Sequence, residues 1–105
     1  MKKNNPKIYL YYATEENCFE TEKHETTEPI NDVEQFLKDD YLQTDEIERA
    51  KYEMQRDFDK NGVAVYETVQ GQDYQILIGI AKFGKCSEIT KLIAERRSDA
   101  IAMCY

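Results

Sequence analysis

The residues Gly79 to Ser87, GIAKFGKCS, have the spacing of a phosphate-binding loop, with Cys86 where such a loop places its magnesium-binding hydroxyl. A loop of this kind needs its first glycine at the end of a buried strand, so that free backbone N–H groups converge on the phosphates. Gly79 instead lies inside the apolar run ILIGIAKF, where a strand commits its N–H to a neighbouring strand. The sequence therefore predicts a strand glycine at 79, a turn at Gly84 and no nucleotide site.

Cys86 precedes a predicted helix and follows Lys85, and this position stabilises a thiolate. A thiol nucleophile also needs a base, and the single imidazole of the chain, His24, lies far away in an acidic stretch. We therefore expect Cys86 to be an inert thiol. A small thiol-dependent enzyme or redox regulator that uses Cys86 is the alternative function.

His24 is surrounded by residue types that bind metal ions, namely Cys18, Glu20, Glu22 and Glu25. Their positions do not have the ligand spacing of a four-coordinate metal site. We predict neither a metal nor a cofactor here, and we interpret the stretch as a solvated loop.

Length and composition predict one domain over residues 1–105, with 41% apolar residues. The apolar run after Lys2 and Lys3 is too short for a signal peptide, and no run approaches the length of a membrane span. The three cysteines are odd in number and contain no C-x-x-C pair, which suits a reducing compartment. We therefore expect a cytoplasmic protein that does not contact membranes.

The charge is distributed very unevenly along the chain. Residues 1–14 carry three lysines and no acid, residues 15–59 carry 16 acids and 5 bases, and residues 60–105 carry 5 acids and 6 bases. The net charge of −7 therefore arises in the first connection and the helical segment that follows it. Such a surface attracts basic proteins and repels nucleic acid.

The acids of the helical segment are the predicted partner-binding residues, with Glu20, Glu22 and Glu25 as supplementary contacts. Carboxylates one helical turn apart are separated by about 5 Å, which is not far from the spacing of phosphates along a nucleic-acid strand. The sequence thus favours a non-enzymatic inhibitor or regulator that occupies a basic nucleic-acid-binding protein, by physical analogy with nuclease immunity proteins and phage anti-defence proteins such as anti-CRISPR proteins. The predicted binding residues are Glu34, Asp39, Asp40, Asp45, Glu46, Glu48, Glu53 and Asp57.

The elements that position these residues can be predicted from hydrophobic periodicity. Residues 8–14, IYLYYAT, are β-branched and aromatic, which predicts a strand, and residues 15–30 have no period, which predicts a long acidic loop. A short helix is predicted after Pro29, with Tyr41 on its apolar face, and a longer one from Thr44 to the left-handed terminus at Asn61-Gly62.

The second half of the chain predicts a hairpin, a helix and a closing strand. The runs 63–69 and 74–83 flank Gln70-Gly71-Gln72-Asp73, Ser87 begins a helix, and residues 100–105, AIAMCY, alternate as a strand does. The order corresponds to an α+β, ferredoxin-like β-α(α)-β-β-α-β fold, with a four-stranded antiparallel sheet and helices on one face.

A sheet covered on one face would leave the other face open. The side chains predicted on that open face are Tyr9, Tyr11, Tyr66, Leu77 and Phe83. An aromatic face of this kind has the composition of a binding patch. It is the second predicted surface, and a homodimeric ligand-sensing domain that associates through it is a further alternative function.

Overall fold

The computed structural model describes residues 7–68 and 75–103 of the chain. In chain order the elements are strand β1 (Ile8–Thr14), a 3₁₀ turn (Glu15–Asn17), strand β2 (Glu22–Thr26), helices α1 (Pro29–Asp39) and α2 (Thr44–Asn61), strands β3 (Val63–Glu67) and β4 (Ile76–Lys82), and helix α3 (Cys86–Met103). The protein is thus α+β with three helices, and the predicted helices after Pro29 and Thr44 are confirmed.

The strands form one antiparallel sheet in the order β2-β1-β4-β3. The predicted four-stranded antiparallel sheet is confirmed. The ferredoxin-like order is not, since the chain runs β-β-α-α-β-β-α and the strand order is not a standard ferredoxin order. β1 and β4 are the central strands, and β4 is buried from Ile76 to Ala81.

Two apolar cores lie on the two faces of the sheet. One joins α1 and α2 to the sheet through residues such as Leu37, Met54 and Ile80, and the other joins α3 to the opposite face through Leu77 and Ile89. The prediction of helices on one face only is therefore wrong. The physical reason is the continuous apolar run of β4, which exposes apolar side chains on both faces, and each face needs a cover.

Two elements differ from their predictions. The predicted loop 15–30 contains β2, which pairs with β1 from Ile8↔Thr26 to Tyr12↔Glu22 and occupies one edge of the sheet. The predicted strand at 100–105 is instead the last part of α3 as far as Met103, and residues 104 and 105 lie outside the described part. No glycine or proline interrupts residues 86–103, so no residue of this segment forces the helix to end.

The end of α2 and the pairing of β3 with β4 agree with the predictions. Gly62 ends α2 with a φ of 77°, and its N–H donates to the carbonyl of Phe58 at 2.8 Å. β3 and β4 pair antiparallel as predicted, whereas the proposed turn at residues 70–73 lies outside the described residues. Within residues 7–68 and 75–103, no helix combines the length and apolarity that crossing a membrane requires.

Candidate protein-binding surface

Helices α1 and α2 form a layer on one face of the sheet, called here the α1–α2 layer (residues 29–61). It carries 10 acidic and 5 basic residues, whereas α3, on the opposite face, carries 3 of each. The excess of negative charge therefore belongs to one of the two helical layers, and to the strand β2 with its preceding segment.

The buried residues of α2 determine which of its acids face solvent. Ile47, Ala50, Met54 and Phe58 recur every three or four residues and are buried against the sheet. The opposite side of the helix carries a stripe of exposed side chains at the same spacing, called here the outer stripe. Its members are Asp45, Glu48, Tyr52, Gln55 and Asp59, and the exposed bases Arg49 and Arg56 lie beside them on the same side of the helix.

Glu34 is engaged inside the layer. Its carboxylate accepts a hydrogen bond from Lys51 Nζ at 2.7 Å and pairs with Lys38 Nζ at 3.0 Å. The hydrogen bond from Lys51, followed by that from Lys38, lowers the pKa of Glu34. Because Lys51 belongs to α2, this ion pair fastens the two helices to each other, and the charge of Glu34 is already compensated.

Asp40 and Glu46 accept hydrogen bonds from tyrosines of the sheet. Tyr12 donates its hydroxyl to Asp40 Oδ2 at 2.6 Å, and Tyr66 donates to Glu46 Oε2 at 2.7 Å. Burial, and then the hydrogen bond to Glu46, raise the pKa of Tyr66, so it remains a donor. These two carboxylates are half-buried and stabilise the attachment of the α1–α2 layer to β1 and β3.

The remaining predicted acids divide between two sides of the layer. Asp39 is exposed near the end of α1, where Gln35 donates to it at 3.1 Å. Glu53 and Asp57 lie one turn apart on the flank of α2, and Asp57 pairs with Arg56 at 3.2 Å. The exposed acids of the outer surface are thus Asp39 and the three of the outer stripe.

Two exposed tyrosines of the α1–α2 layer were not among the predicted site residues. Tyr52 is 69% exposed between the acids of the outer stripe, and Tyr41 is 92% exposed in the connection between the helices. Tyr41 was predicted on the apolar face of α1, but the helix ends at Asp39 and residue 41 has a φ of 64°. The outward position of Tyr52 could have been predicted, because it lies opposite the apolar positions of α2.

The predicted second surface is not an open face. Tyr9 and Tyr11 pack in the core beneath α3, and Tyr66 lies on the other side of the sheet. The register explains the error, because Val65 pairs with Gly79 and Tyr66 with Ile78, so Val63 and Val65 face α3. Phe83 is 71% exposed just beyond the end of β4. The homodimer alternative loses its premise, since α3 covers the face through which it would associate.

Cys86 and His24 lie on opposite faces of the sheet. Cys86 is the first residue of α3, packs against the core beneath that helix, and has its thiol 3.8 Å from the carbonyl oxygen of Lys82. The His24 ring is 6.0 Å from that of Phe36 on α1, and its Nε2 is 3.3 Å from Glu22. The sheet therefore separates the imidazole from the thiol.

The structure also shows where the remaining candidate residues lie. Gly79 lies within β4 and Gly84 adopts a φ of 99° before α3, as predicted. Glu20, Glu22 and Glu25 are exposed along and before the edge strand β2. Within residues 7–68 and 75–103, no three side chains of His, Cys, Asp or Glu form a group suited to a metal ion.

The ion pair of Glu34 predicts a measurable pH dependence of stability. Its folded-state pKa is lowered, so the carboxylate stabilises the fold above the ordinary value of 4.5, and this contribution disappears as the pH falls through the folded-state value. We expect Glu34→Gln to lower the free energy of unfolding at neutral pH, with the difference shrinking as the pH falls below 4.5 and through the lowered folded-state pKa. Urea denaturation of both proteins across this range measures it.

The partner variant provides the control for this prediction. Lys51→Met should reproduce most of the loss at neutral pH, and Glu34→Gln should add little in that background, because the two residues form one interaction. Fully additive effects of the two substitutions would contradict the role of the ion pair.

No protein-family model matches the chain, and neither the curated proteins nor the solved structures compared with it include one found to be similar, so its function has to be inferred from the residues and geometry described above.

Proposed function

We propose that the chain is a non-enzymatic inhibitor or regulator that binds a basic nucleic-acid-binding protein through the outer surface of the α1–α2 layer. The observation that carries this proposal is the outer stripe of α2, where Asp45, Glu48 and Asp59 stand exposed around Tyr52. Asp45 and Glu48 lie one turn apart and Asp59 lies about three turns further along, so negative charge is presented along the helix. The exposed Arg49 and Arg56 partly offset this charge. The protein acts as a nucleic-acid mimic.

The exposed tyrosines give this surface the means to bind tightly. Tyrosine is enriched among the residues that dominate binding energy, because its ring buries a large area while its hydroxyl forms a hydrogen bond. A charged helix surface that serves solubility alone does not require aromatic side chains among its acids. Tyr41 and Tyr52 therefore supply contact area, and the surrounding carboxylates supply electrostatic attraction.

The thiol-dependent alternative has weaker support. The sheet lies between Cys86 and the single imidazole of the chain, so a cysteine–histidine pair of the kind that activates a nucleophile cannot form without rearrangement. Binding of a basic surface by the α1–α2 layer requires no rearrangement of the fold.

The proposal can be tested by capture and competition. The tagged protein is incubated with cell lysate treated with nuclease, washed, and eluted in a salt gradient, and the eluted proteins are identified. We expect a basic nucleic-acid-binding protein to elute late, and the purified partner to lose its DNA or RNA in the presence of equimolar inhibitor. Retention of a partner that binds this protein and its nucleic acid at the same time would contradict the mimic.

Tyr41 predicts opposite changes in stability and binding. A non-glycine residue with a φ of 64° carries backbone strain on the order of 1 kcal/mol, which glycine does not. Tyr41→Gly should therefore leave the free energy of unfolding unchanged or raise it by up to about 1 kcal/mol, while affinity for the partner falls about tenfold or more. Urea denaturation and a titration with the captured partner measure the two effects. Unchanged affinity would remove Tyr41 from the binding surface.

A further inference from the structure

β3 is an edge strand with main-chain groups that point out of the sheet. The N–H of Thr68 donates to the carbonyl of Ile76 at 3.1 Å, and the N–H of Lys82 donates to that of Gly62 at 2.9 Å. Because hydrogen-bonded pairs alternate along an antiparallel ladder, residues 62, 64, 66 and 68 face β4. The N–H and C=O groups of Val63, Val65 and Glu67 therefore point away from β4, on the side where residues 7–68 and 75–103 form no further strand.

This edge forms the floor of a groove of about 590 Å³. The sheet lies between two helical layers, so the end of α2 forms one wall and α3 forms the other. The floor is lined by residues 63–65, and the walls by Asp57 and Asn61 of α2 and by Glu88, Lys91, Leu92 and Glu95 of α3. An unpaired strand edge in such a groove can accept one further extended chain.

The charges of the groove select the kind of chain that fits. Three of the residues that line it are acids, Asp57 on one wall and Glu88 and Glu95 on the other, and Lys91 is the one base among the described lining residues. Glu53, one turn before Asp57, extends the acidic wall of α2. Side chains of an added strand point alternately to the two walls, so a lysine or arginine on either face of that strand meets a carboxylate.

A second copy of the chain fits this groove less well. Association of two β3 edges would bring together two molecules that each carry a net charge of −7 and the same acidic walls. Like charges at such an interface oppose association, whereas a basic segment gains from the same carboxylates.

We propose that the β3 edge binds an extended, lysine- or arginine-rich peptide segment as a fifth strand of the sheet. Main-chain hydrogen bonds to Val63, Val65 and Glu67 hold the segment, and Asp57, Glu88 and Glu95 select its basic side chains. This site does not depend on the proposed function, because it uses a sheet edge and not the outer stripe of α2.

The test uses a synthetic nine-residue peptide of alternating lysine and valine, titrated into the full chain. We expect binding in which the amide signals of Val63, Val65 and Glu67 shift in NMR spectra, and at least tenfold weaker binding of the glutamate–valine counterpart. N-methylation of every lysine, or of every valine, separates main-chain pairing from charge attraction. One of these two peptides should lose binding at least tenfold and the other should retain it.

Two variants of the protein complete the test. Val65→Pro removes an outward N–H that makes no bond to β4, a position at which an edge strand tolerates proline, and should weaken peptide binding at least tenfold. If this variant does not fold, the N-methylated peptides still decide the question. Glu88→Gln with Glu95→Gln should weaken binding about threefold to tenfold.

Several outcomes overturn the proposal. These are equal binding of both N-methylated peptides, equal binding of the lysine and glutamate peptides, or no binding at millimolar concentration. Self-association that Val65→Pro abolishes would assign the edge to a second copy instead. The variant Asp39→Lys/Asp45→Lys/Glu48→Lys/Asp59→Lys should retain peptide binding, so failure of the nucleic-acid mimic is distinguishable from failure of this site.

Discussion

Reversing the four exposed acids Asp39, Asp45, Glu48 and Asp59 to lysine is expected to abolish binding of the basic partner, with a loss of affinity of about 100-fold or more. Each substitution replaces attraction by repulsion at a position that faces solvent. None of the four carboxylates forms an ion pair across elements among the described residues, and the 3.6 Å contact of Glu48 with Lys51 lies within α2. The unfolding transition should therefore change little, and calorimetric titration with the captured partner measures the loss.

The choice of these four acids follows from the geometry. A set that included Asp40 and Glu46 would remove the acceptors of the Tyr12 and Tyr66 hydroxyls, and loss of binding could then reflect a damaged fold. Such a variant would not separate recognition from stability.

A control variant with the same net charge shows whether binding depends on this particular surface or on the net charge of the protein. Each lysine for an acid adds two charges, so four reversals change the formal net charge from −7 to +1 wherever they are made. The matched variant reverses four exposed acids outside both the α1–α2 layer and the groove at β3: Glu15, Glu16, Glu28 and Asp99. It should retain most of the affinity. Equal losses in the two variants would mean that net charge alone drives binding and would contradict recognition by the outer stripe.

Periodicity was sufficient to predict the elements that carry apolar residues, but it missed β2. The residues of β2, EKHET, include no apolar side chain, and the first four are exposed on the edge of the sheet. A charged, exposed strand at a sheet edge resists pairing with other chains, and the same composition makes it resemble a loop. Its pairing is determined by β1, which offers a free edge nearby in the chain, and local sequence does not reveal that.

The prediction that α3 lies on the same face as the other helices was wrong, and the sequence contains the signal that would have corrected it. The strand ILIGIAK has apolar residues or glycine at all but its last position, which is typical of a strand covered on both faces. An alternating interpretation of this run assigned Leu77 to an open face, whereas α3 covers it. A continuous apolar strand beside three predicted helices should have indicated one helical layer on each side.

The location of the excess negative charge could be predicted from the sequence, but the partners of the individual carboxylates could not. The sequence placed the negative charge on the helical segment, and the structure shows which carboxylates are already engaged. Glu34, Asp40 and Glu46 each have partners on another element, and such pairings depend on how α1 and α2 pack on each other and on the sheet. Sequence spacing alone cannot identify partners 17 to 28 residues apart.

The largest expected effect on stability concerns Gly79, the first glycine of the motif that resembles a phosphate loop. A Cβ atom at this position would lie 2.7 Å from Cδ1 and 3.1 Å from Cγ2 of Ile89, which is fully buried on α3. Gly79→Val should therefore force α3 away from the sheet and destabilise the protein by about 3 kcal/mol or more. Gly79→Ala should destabilise it by about 1–3 kcal/mol, as measured by urea denaturation.

A variant of Ile89 tests this prediction directly, because the three atoms nearest to a Cβ added at Gly79 all belong to the Ile89 side chain. In an Ile89→Ala protein the added methyl of Gly79→Ala enters the vacated space, so the substitution should become neutral or stabilising. Gly84→Ala is the control, because no described residue other than its chain neighbours has an atom within 4 Å of the added Cβ. Its effect arises from a φ of 99° and should not depend on Ile89. An unchanged effect of Gly79→Ala in the two backgrounds would contradict this account. Gly79 then allows α3 to approach the sheet, and Gly84 allows a left-handed turn. The presence of both glycines is therefore explained without a phosphate site.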